Sequence, residues 1–528
     1  MKMVIRLLLL FAIPTFCCGL KVLNVFPLTS KSHNILGDGI NRHLLNAGHE
    51  VTYITAYLKN DTHPNLRQID VTENFKLIPS KSVHFYRTKL STMQSSSGMN
   101  HELIMVGMHI SSTMTIENEN VQRLLNDPNE HFDVVIVDWM FNEILLAKIY
   151  DAPLIWVTSL EPHWLALKYI DEPLHPAYAS DFLSDNVLPF TFWERAMELW
   201  AQIKITFYKE TFTFDSKQNE KLLEAYNNLI APIIKARGME PPSPQELRYN
   251  ASLIIGNSHV SFGEAHRLPV NYIPVAGFHI EENVKPLKGD LKSIMDNAKN
   301  GVIYFSMGSL IKSKDLPDDV KKDIITMFGK LKQTVLWKFE EQLPNLPANV
   351  HILDWAPQQS ILAHPNCVLF ITHGGLLSTI EAIHYGVSVI GLPVFADQFN
   401  NIDKAISKGF ARKIDLKRSP TVAKNLKDEI EEVLGNPKYK EKVKELSFIF
   451  HHRPVKPSTE IVHWIEHVVK TRGAPHMRSP ALMVSWYQKM YLDLVALIVL
   501  VVIALRFVYV KLFKDLLFKK TNSKKKIN

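Results

Sequence analysis

The sequence predicts an α/β protein of two doubly wound domains followed by one membrane-spanning helix. Three observations carry that expectation. Short apolar runs rich in β-branched residues alternate with amphipathic stretches on both sides of the middle of the chain, the pattern of βαβ units in parallel sheets. Near Pro274–Gly289, proline, glycine and charged residues interrupt both patterns and mark a join. Finally, one late apolar run, counted from Met490 to Val510, reaches the roughly 20 residues that a bilayer requires.

Taken in order, the chain opens with Lys2 and Arg6, a short apolar run from Leu7 to Ile13, and small residues at Cys17 and Gly19. The run is too short to span a membrane, so residues 1–19 read as a secretory signal peptide. The first strand set is Val22–Phe26, Val51–Thr55, Val134–Asp138 and Leu154–Thr158, with helical stretches at Leu36–Ala47 and Phe141–Tyr150. Residues 175–250, with clustered prolines and aromatics, read as a helical insertion bearing substrate or membrane contacts. The second set is Gly301–Met307, Thr334–Phe339, Val350–Leu353, Val368–Thr372 and Val387–Leu392. Helical patterns at Val422–Leu434, Tyr439–Phe450 and Glu460–Val469 follow it and close the second domain. The expected boundaries are 20–280 for the first domain, 281–473 for the second, 474–489 for a linker, 490–510 for the span and 511–528 for a basic tail.

Arg506 lies near the end of the span, where its stem can snorkel to the headgroups. Lysines 511, 514, 519, 520, 524, 525 and 526 crowd the far flank, and the positive-inside rule assigns that side to the cytoplasm. With a signal peptide in front, this gives a type I membrane protein whose bulk is luminal. The final Lys525-Lys526-Ile527-Asn528 resembles the dilysine retrieval signal of endoplasmic-reticulum proteins, although a polybasic patch would also attract anionic lipid. Asn60 and Asn250 begin glycosylation sequons that fit a luminal body.

Composition narrows the function. In 528 residues, 46% are hydrophobic and 21% charged, which excludes a disordered or fibrous chain. Of three cysteines, two lie in the leader, so Cys367 alone remains and the mature chain has no intramolecular disulfide. The net charge of +7 is concentrated in the tail, which argues against nucleic acid as a partner. No Gly-x-Gly-x-x-Gly follows a strand, so a nicotinamide-dependent oxidoreductase is disfavoured.

Chemistry is densest from Trp355 to Gln398. The strand Val368–Ile371 runs into Thr372-His373-Gly374-Gly375, and a helix opens at Leu376. Glycines let the backbone approach an anion, and a helix N-terminus offers free N–H groups, so this is a phosphate cradle at a strand's carboxyl end. His373 and Ser378 add side-chain donors, and Glu381 suits ribose hydroxyls. Trp355 offers a flat face to a base, beside Pro357 and Gln358, and Asp397-Gln398 pair a carboxylate with an amide for sugar hydroxyls. At the other end of the chain, His33 lies on the first β–α turn, where an imidazole titrating near neutrality can take a proton. Asp138 closes a strand on the same sheet edge, where it either orients that base or caps the next helical segment.

The block Trp355-x-Pro-Gln358, Thr372-His-Gly-Gly375, Ser378, Glu381, Pro393, Asp397-Gln398 resembles the signature of the UDP-glycosyltransferases, in particular their membrane-bound animal branch. Ser388 departs from it, standing where the family usually has proline. The resemblance runs from leader to tail and implies a GT-B architecture, two facing Rossmann-like domains with the UDP-sugar held mainly by the second. It makes Ser309, in Ser306-Met-Gly-Ser309, a second donor contact, a stretch that by itself reads as an ordinary βα turn. It also makes His33 the base and Asp138 its orienting carboxylate. The implied reaction is inverting transfer of a hexosyl group from a UDP-sugar to a small lipophilic alcohol or phenol, giving a β-glycoside. No cofactor is expected, and with neither an Asp-x-Asp nor a zinc-type cluster, metal-independent catalysis follows. The Ser-His opening and the Leu-Leu-Ser helix start look more like invertebrate members, which favours glucose over glucuronate. Acceptors would be read by loops at about 60–125 and 160–250, and a homo- or hetero-dimer fits the family. The alternative is a catalytically inactive, membrane-tethered protein that binds lipophiles or nucleotide sugars.

Overall fold

The structure is a computed structural model describing residues 19–60, 63–77, 101–141, 146–171, 174–181, 184, 186, 188–211, 216–243, 249, 251–417 and 421–524. The leader, Asn250 and the four C-terminal residues lie outside the described residues.

Seven strands form the first sheet: β1 (Lys21–Phe26), β2 (Glu50–Thr55), β3 (Leu66–Asp70), β4 (Val134–Asp138), β5 (Leu154–Thr158), β6 (Ala251–Gly256) and β7 (Tyr272–Pro274). They run parallel in the order β3-β2-β1-β4-β5-β6-β7. Six more form the second sheet: β8 (Val302–Ser306), β9 (Thr334–Lys338), β10 (Val350–Leu353), β11 (Cys367–Thr372), β12 (Val389–Gly391) and β13 (Ala411–Lys413). Their order, β10-β9-β8-β11-β12-β13, is again all parallel. Both sheets thus reverse direction once, between β1 and β4 and between β8 and β11. Such switch points open a crevice at the strands' carboxyl ends.

Helices cover both faces of each sheet, so the central strands are apolar on both sides. In β1, Val22 and Phe26 join one core and Leu23 and Val25 another. The helices that matter below are α1 (Lys31–Asn46), α2 (Phe192–Thr211), α3 (Leu376–Tyr385), α4 (Gln398–Ser407), α5 (Pro457–Lys470) and α6 (Leu492–Lys524). Helix α1 packs Leu36, Ile40 and Leu44 on the first sheet. Asn24 of β1 is fully buried there and donates to Asn41 at 2.7 Å and to the Gly37 carbonyl, a polar clip between strand and helix.

The sequence pattern groups α5 with the second set, but its buried Ile461, Ile465 and Val468 pack into the core containing Val22, Leu36 and Phe278 of the first. The chain therefore crosses between the sheets twice. The two crossings are tied by Arg453, which donates to the Ala276 carbonyl at 2.9 Å, and by Lys456 with Glu282 at 3.0 Å. Strands β3, β7 and β13 have no counterpart in the sequence expectation. All three lie at or near sheet edges, and β7 and β13 are only three residues long. Strand β6, fully buried, has no counterpart in the sequence expectation either.

Residues Ser479–Asn528 form a separate unit. In it, Leu492–Lys514 is a 23-residue segment long and apolar enough to cross a membrane.

Candidate active site

A cavity of about 610 Å³ is lined by residues from the carboxyl ends of both sheets. It contains every catalytic and donor-binding residue named from the sequence except Asp138: His33, Ser309, Trp355, Gln358, His373, Gly375, Ser378, Glu381, Asp397 and Gln398. Asp138 lies behind His33, only 1% exposed. The two catalytic candidates flank the first switch point: His33 lies in the first turn of α1, which follows β1, and Asp138 ends β4.

His33 Nδ1 is 2.5 Å from Asp138 Oδ2. Asp138 Oδ1 accepts from the Met140 N–H at 2.9 Å, so one carboxylate both caps the short helical turn and holds the imidazole. With Nδ1 committed, Nε2 is the nitrogen left for chemistry. Burial pulls the His33 pKa down, but the charge and hydrogen bond of Asp138, helped by Asp397, outweigh it and leave the value raised. Asn34 fixes the backbone beside His33. Its Oδ1 accepts from Tyr53 (3.1 Å) and Thr55 (2.8 Å), and its Nδ2 donates to Asp38.

Across the cavity, the turns after β8 and β11 flank the second switch point. Gly308 and Gly374 both sit at φ +87, a conformation that favours glycine. A Cβ on Gly308 would lie 2.5 Å from His373 Cε1, and one on Gly375 would lie 2.6 Å from His373 Nε2. The two loops thus leave a slot for this imidazole that only glycines permit. Burial, with Lys338 adding, lowers the His373 pKa to about 4, so the ring is neutral and donates through one nitrogen. Helix α3 begins at Gly375 without a side-chain cap, and Leu376 and Leu377 line the cavity, so its first N–H groups are available to an anion. Ser309 lines the same wall.

Gln358 donates to Ser378 Oγ (3.0 Å) and to Glu381 Oε2 (2.6 Å), while Tyr304 donates to its carbonyl at 3.3 Å. Gln359 donates to Glu381 Oε1 and accepts from the Glu281 N–H. Both Glu381 oxygens are therefore already engaged, Oε1 also lying 3.5 Å from His279 Nε2, which holds the carboxylate rigid. Trp355 is 54% exposed, with Lys31 Nζ 3.5 Å from its ring centroid and Lys338 Nζ at 5.7 Å. Burial, then Lys338, lowers the Lys31 pKa.

Gln398 spends its carbonyl on the Val394 and Phe395 N–H groups, so only its amide N–H remains for a ligand. Asp397 accepts from Asn401 at 2.7 Å, and Asn401 also donates to the Gly374 carbonyl, joining the sugar-side carboxylate to the cradle. Burial raises the Asp397 pKa, against the pull of Asn401 and His33. Sequence reasoning missed Asn34, Asn401, Lys31 and Lys338. Of these, Lys31 was the most accessible, two residues before His33. Asn60 is exposed, as a sequon requires. Among the described residues, no three His, Cys, Asp or Glu side chains are grouped to hold a metal ion. Cys367 is buried and free, and burial pushes its thiol pKa up to about 12.

Comparison with known proteins gives one consistent answer. The family described as "UDP-glucoronosyl and UDP-glucosyl transferase" matches residues 21–527. UDP-glucosyltransferase 2 of Dactylopius coccus is 29% identical over 502 residues, covering 94% of this chain and 93% of that protein. UDP-glycosyltransferase UGT5 of the same insect is 31% identical over 92% of this chain and 89% of its own. UDP-glucuronosyltransferase 2B9 of Macaca fascicularis is 30% identical over 75% of this chain and 72% of its own. Among solved structures, the spinosyn forosaminyltransferase SpnP is similar with a TM-score of 0.56 at 14% identity, covering 85% of this chain and 99% of that one. A UDP-glucosyltransferase from Polygonum tinctorium gives a TM-score of 0.54 at 14% identity, covering 86% and 99%.

Proposed function

The chain belongs to the UDP-glucoronosyl and UDP-glucosyl transferase family and carries the GT-B fold, and from that premise we propose an inverting glucosyl transfer to small lipophilic alcohols or phenols with His33 as base. UDP-sugar-dependent glycosyl transfer itself follows from the family. What supports the finer reading is the His33–Asp138 contact of 2.5 Å at one wall of a cavity whose opposite wall is an anion cradle.

The acceptor hydroxyl donates to His33 Nε2. As its oxygen attacks the anomeric carbon, the proton passes to His33 and the bond from that carbon to the UDP oxygen breaks. Attack from the face opposite the leaving group converts an α-linked donor into a β-glycoside. Asp138 stabilises the imidazolium that forms, which is why burying it at this edge is tolerated. Charge growing on the departing diphosphate meets the first N–H groups of α3 and the single N–H of neutral His373. Trp355 takes the base, Gln358 and Glu381 the ribose, Ser309 and Ser378 the phosphates, and Asp397 with the Gln398 amide the sugar. No resident cofactor or metal takes part.

Glucose is favoured over glucuronate because the Ser32-His33 opening and the Leu376-Leu377-Ser378 helix start look more like invertebrate members of the family. The relatives named as glucosyltransferases also match more of the chain than those named as glucuronosyltransferases. We place the body in the lumen of the endoplasmic reticulum, anchored by Leu492–Lys514, with the dilysine tail cytosolic.

The test uses microsomes bearing the full chain, several UDP-sugars and a panel of phenolic aglycones, with the product anomer read by NMR. A β-glucoside formed by wild type and lost in His33→Ala is expected. Transfer undiminished in His33→Ala, or an α-product, overturns the mechanism.

A further inference from the structure

The segment that carries the chain from the first sheet to the second is gripped from both. On the side of α1, the Phe278 carbonyl accepts from His43 Nε2 at 2.8 Å and from Arg42 at 3.0 Å, and Arg42 also donates to the Ile280 carbonyl at 3.0 Å. A Cβ on Gly39 of α1 would lie 3.0 Å from His279 Cα, so helix and segment meet with no side chain between them. On the side of the second sheet, the Glu281 N–H donates to Gln359, which in turn donates to Glu381.

His279 stands in the middle of this grip, and its ring is unsatisfied. The side chain is fully buried, yet neither Nδ1 nor Nε2 has a hydrogen-bond partner among the described residues. Buried polar atoms are normally paired, because an unpaired one forfeits its bonds to water. Nε2 faces Glu381 Oε1 at 3.5 Å, about 0.3 Å beyond the usual N–H···O range. A ring so deeply buried does not touch a ligand itself and can act only through the carboxylate in front of it.

We propose that His279 is a positioning residue for ribose selection: donating from Nε2–H, it aims Glu381 at the hydroxyls of the donor's ribose and so sets a preference for ribo- over deoxyribonucleotides. The inference rests on the reading that Glu381 takes the ribose of a UDP-sugar. Gln358 and Gln359 hold the carboxylate from adjacent residues of one stretch, whereas His279 holds it from a segment fixed to α1. A hydroxyl donates well only along a lone-pair direction, so this aim is worth most when the hydroxyl is present. A site built to bond a hydroxyl also rejects the analogue that lacks it, because its own buried groups are then left unpaired.

The test measures binding of UDP, 2′-deoxy-UDP and 3′-deoxy-UDP to the full chain in detergent by calorimetry. Wild type should bind UDP about tenfold or more tighter than the weaker of the two analogues. His279→Leu removes both ring nitrogens, and the shorter amide of His279→Asn stops short of Glu381. In both variants UDP should weaken about tenfold and that analogue by less than about threefold, so that most of the preference disappears. His279→Gln keeps an N–H near the place of Nε2 and should keep the preference. Without ligand, the leucine variant should melt close to wild type, since it removes ring atoms that have no partner. Parallel loss of UDP and both analogues in the leucine and asparagine variants overturns the proposal, because the role would then be structural. An unchanged preference in those two variants overturns it as well. The underlying reading fails by a different result: wild type would bind no UDP, or would bind all three nucleotides alike.

Discussion

Asp138→Asn tests the catalytic reading most directly, because it removes one charge while keeping the size of the side chain. In the native site the carboxylate is 1% exposed and its Oδ2 lies 2.5 Å from His33 Nδ1. An ion pair with charge centres ~4 Å apart at an effective dielectric near 20 is worth about 4 kcal/mol. That is close to three decades of rate at ~1.36 kcal/mol per decade. The amide retains part of the hydrogen bond but also admits the wrong imidazole tautomer, so kcat should fall by about 10²–10³-fold. The pH dependence gives a second readout with a definite sign. His33 acts as a base only when neutral, so kcat/KM rises with pH through its pKa, which Asp138 raises above the ordinary histidine value. Without that charge, burial is left as the main influence, and the acid limb should move to lower pH. Both quantities are read from initial rates of the microsomal full chain with UDP-glucose and a phenol across about pH 5 to 9. A rate within threefold of wild type, or an acid limb displaced upward, would refute the reasoning.

Three further outcomes follow from the donor wall. Gly308→Ala forces a Cβ to within 2.5 Å of the His373 ring and a side chain into positive φ, so UDP affinity by calorimetry should drop by about tenfold or more while the protein stays folded. Lys31→Met removes the cation over Trp355. Because that ring is half exposed, the lower end of the cation–π range applies, and KM for the donor should rise about two- to fivefold with kcat little changed. Initial rates at saturating acceptor separate the two parameters. Excess EDTA should leave turnover unchanged, and its loss would mean that a metal, rather than His373 and the α3 N-terminus, carries the leaving group's charge.

The sequence resolved whatever repeats along the chain and obscured what is joined across it. Continuous apolar strands such as Val134–Val137 and Leu369–Ile371 are legible because both faces are buried, and a strand end followed by His-Gly-Gly is legible because the cradle is local. The edge strand Leu66–Asp70 is paired on one side only and polar enough to read as loop. Within the site, His33 and Asp138 stand 105 residues apart; their chemistry at one sheet edge left either orienting a base or capping a helix open for Asp138, and only the family resemblance paired them. No such rule foresees Lys31 over Trp355, or Gln359 linking Glu381 to the crossing segment at Glu281. Those contacts depend on how the two sheets meet, which no single stretch of sequence encodes. Glu381 shows the difference most clearly: its position in α3 was foreseeable, but its engagement by two glutamine amides was not.

The double crossing leads to a prediction that sequence continuity would assign to the wrong half of the molecule. Ile465 follows the second sheet in the chain, yet it is fully buried in the core that also holds Val22, Leu36 and Phe278. Ile465→Ala should therefore cost about 2–5 kcal/mol through lost burial and a partly collapsed cavity, or roughly 4–20 °C in melting temperature for a domain of this size. The loss should fall on the part that carries His33, because α5 and α1 share that core. The variant heated in detergent should lose acceptor turnover well before it loses UDP binding, whose residues sit on the second sheet. Saturating UDP, which stabilises only what binds it, should then protect the second part and leave the early transition nearly where it was. Were UDP binding to fail first, or both functions to fail together at the wild-type temperature, α5 would belong energetically to the second sheet. The crossing would then not be the staple that its buried face describes.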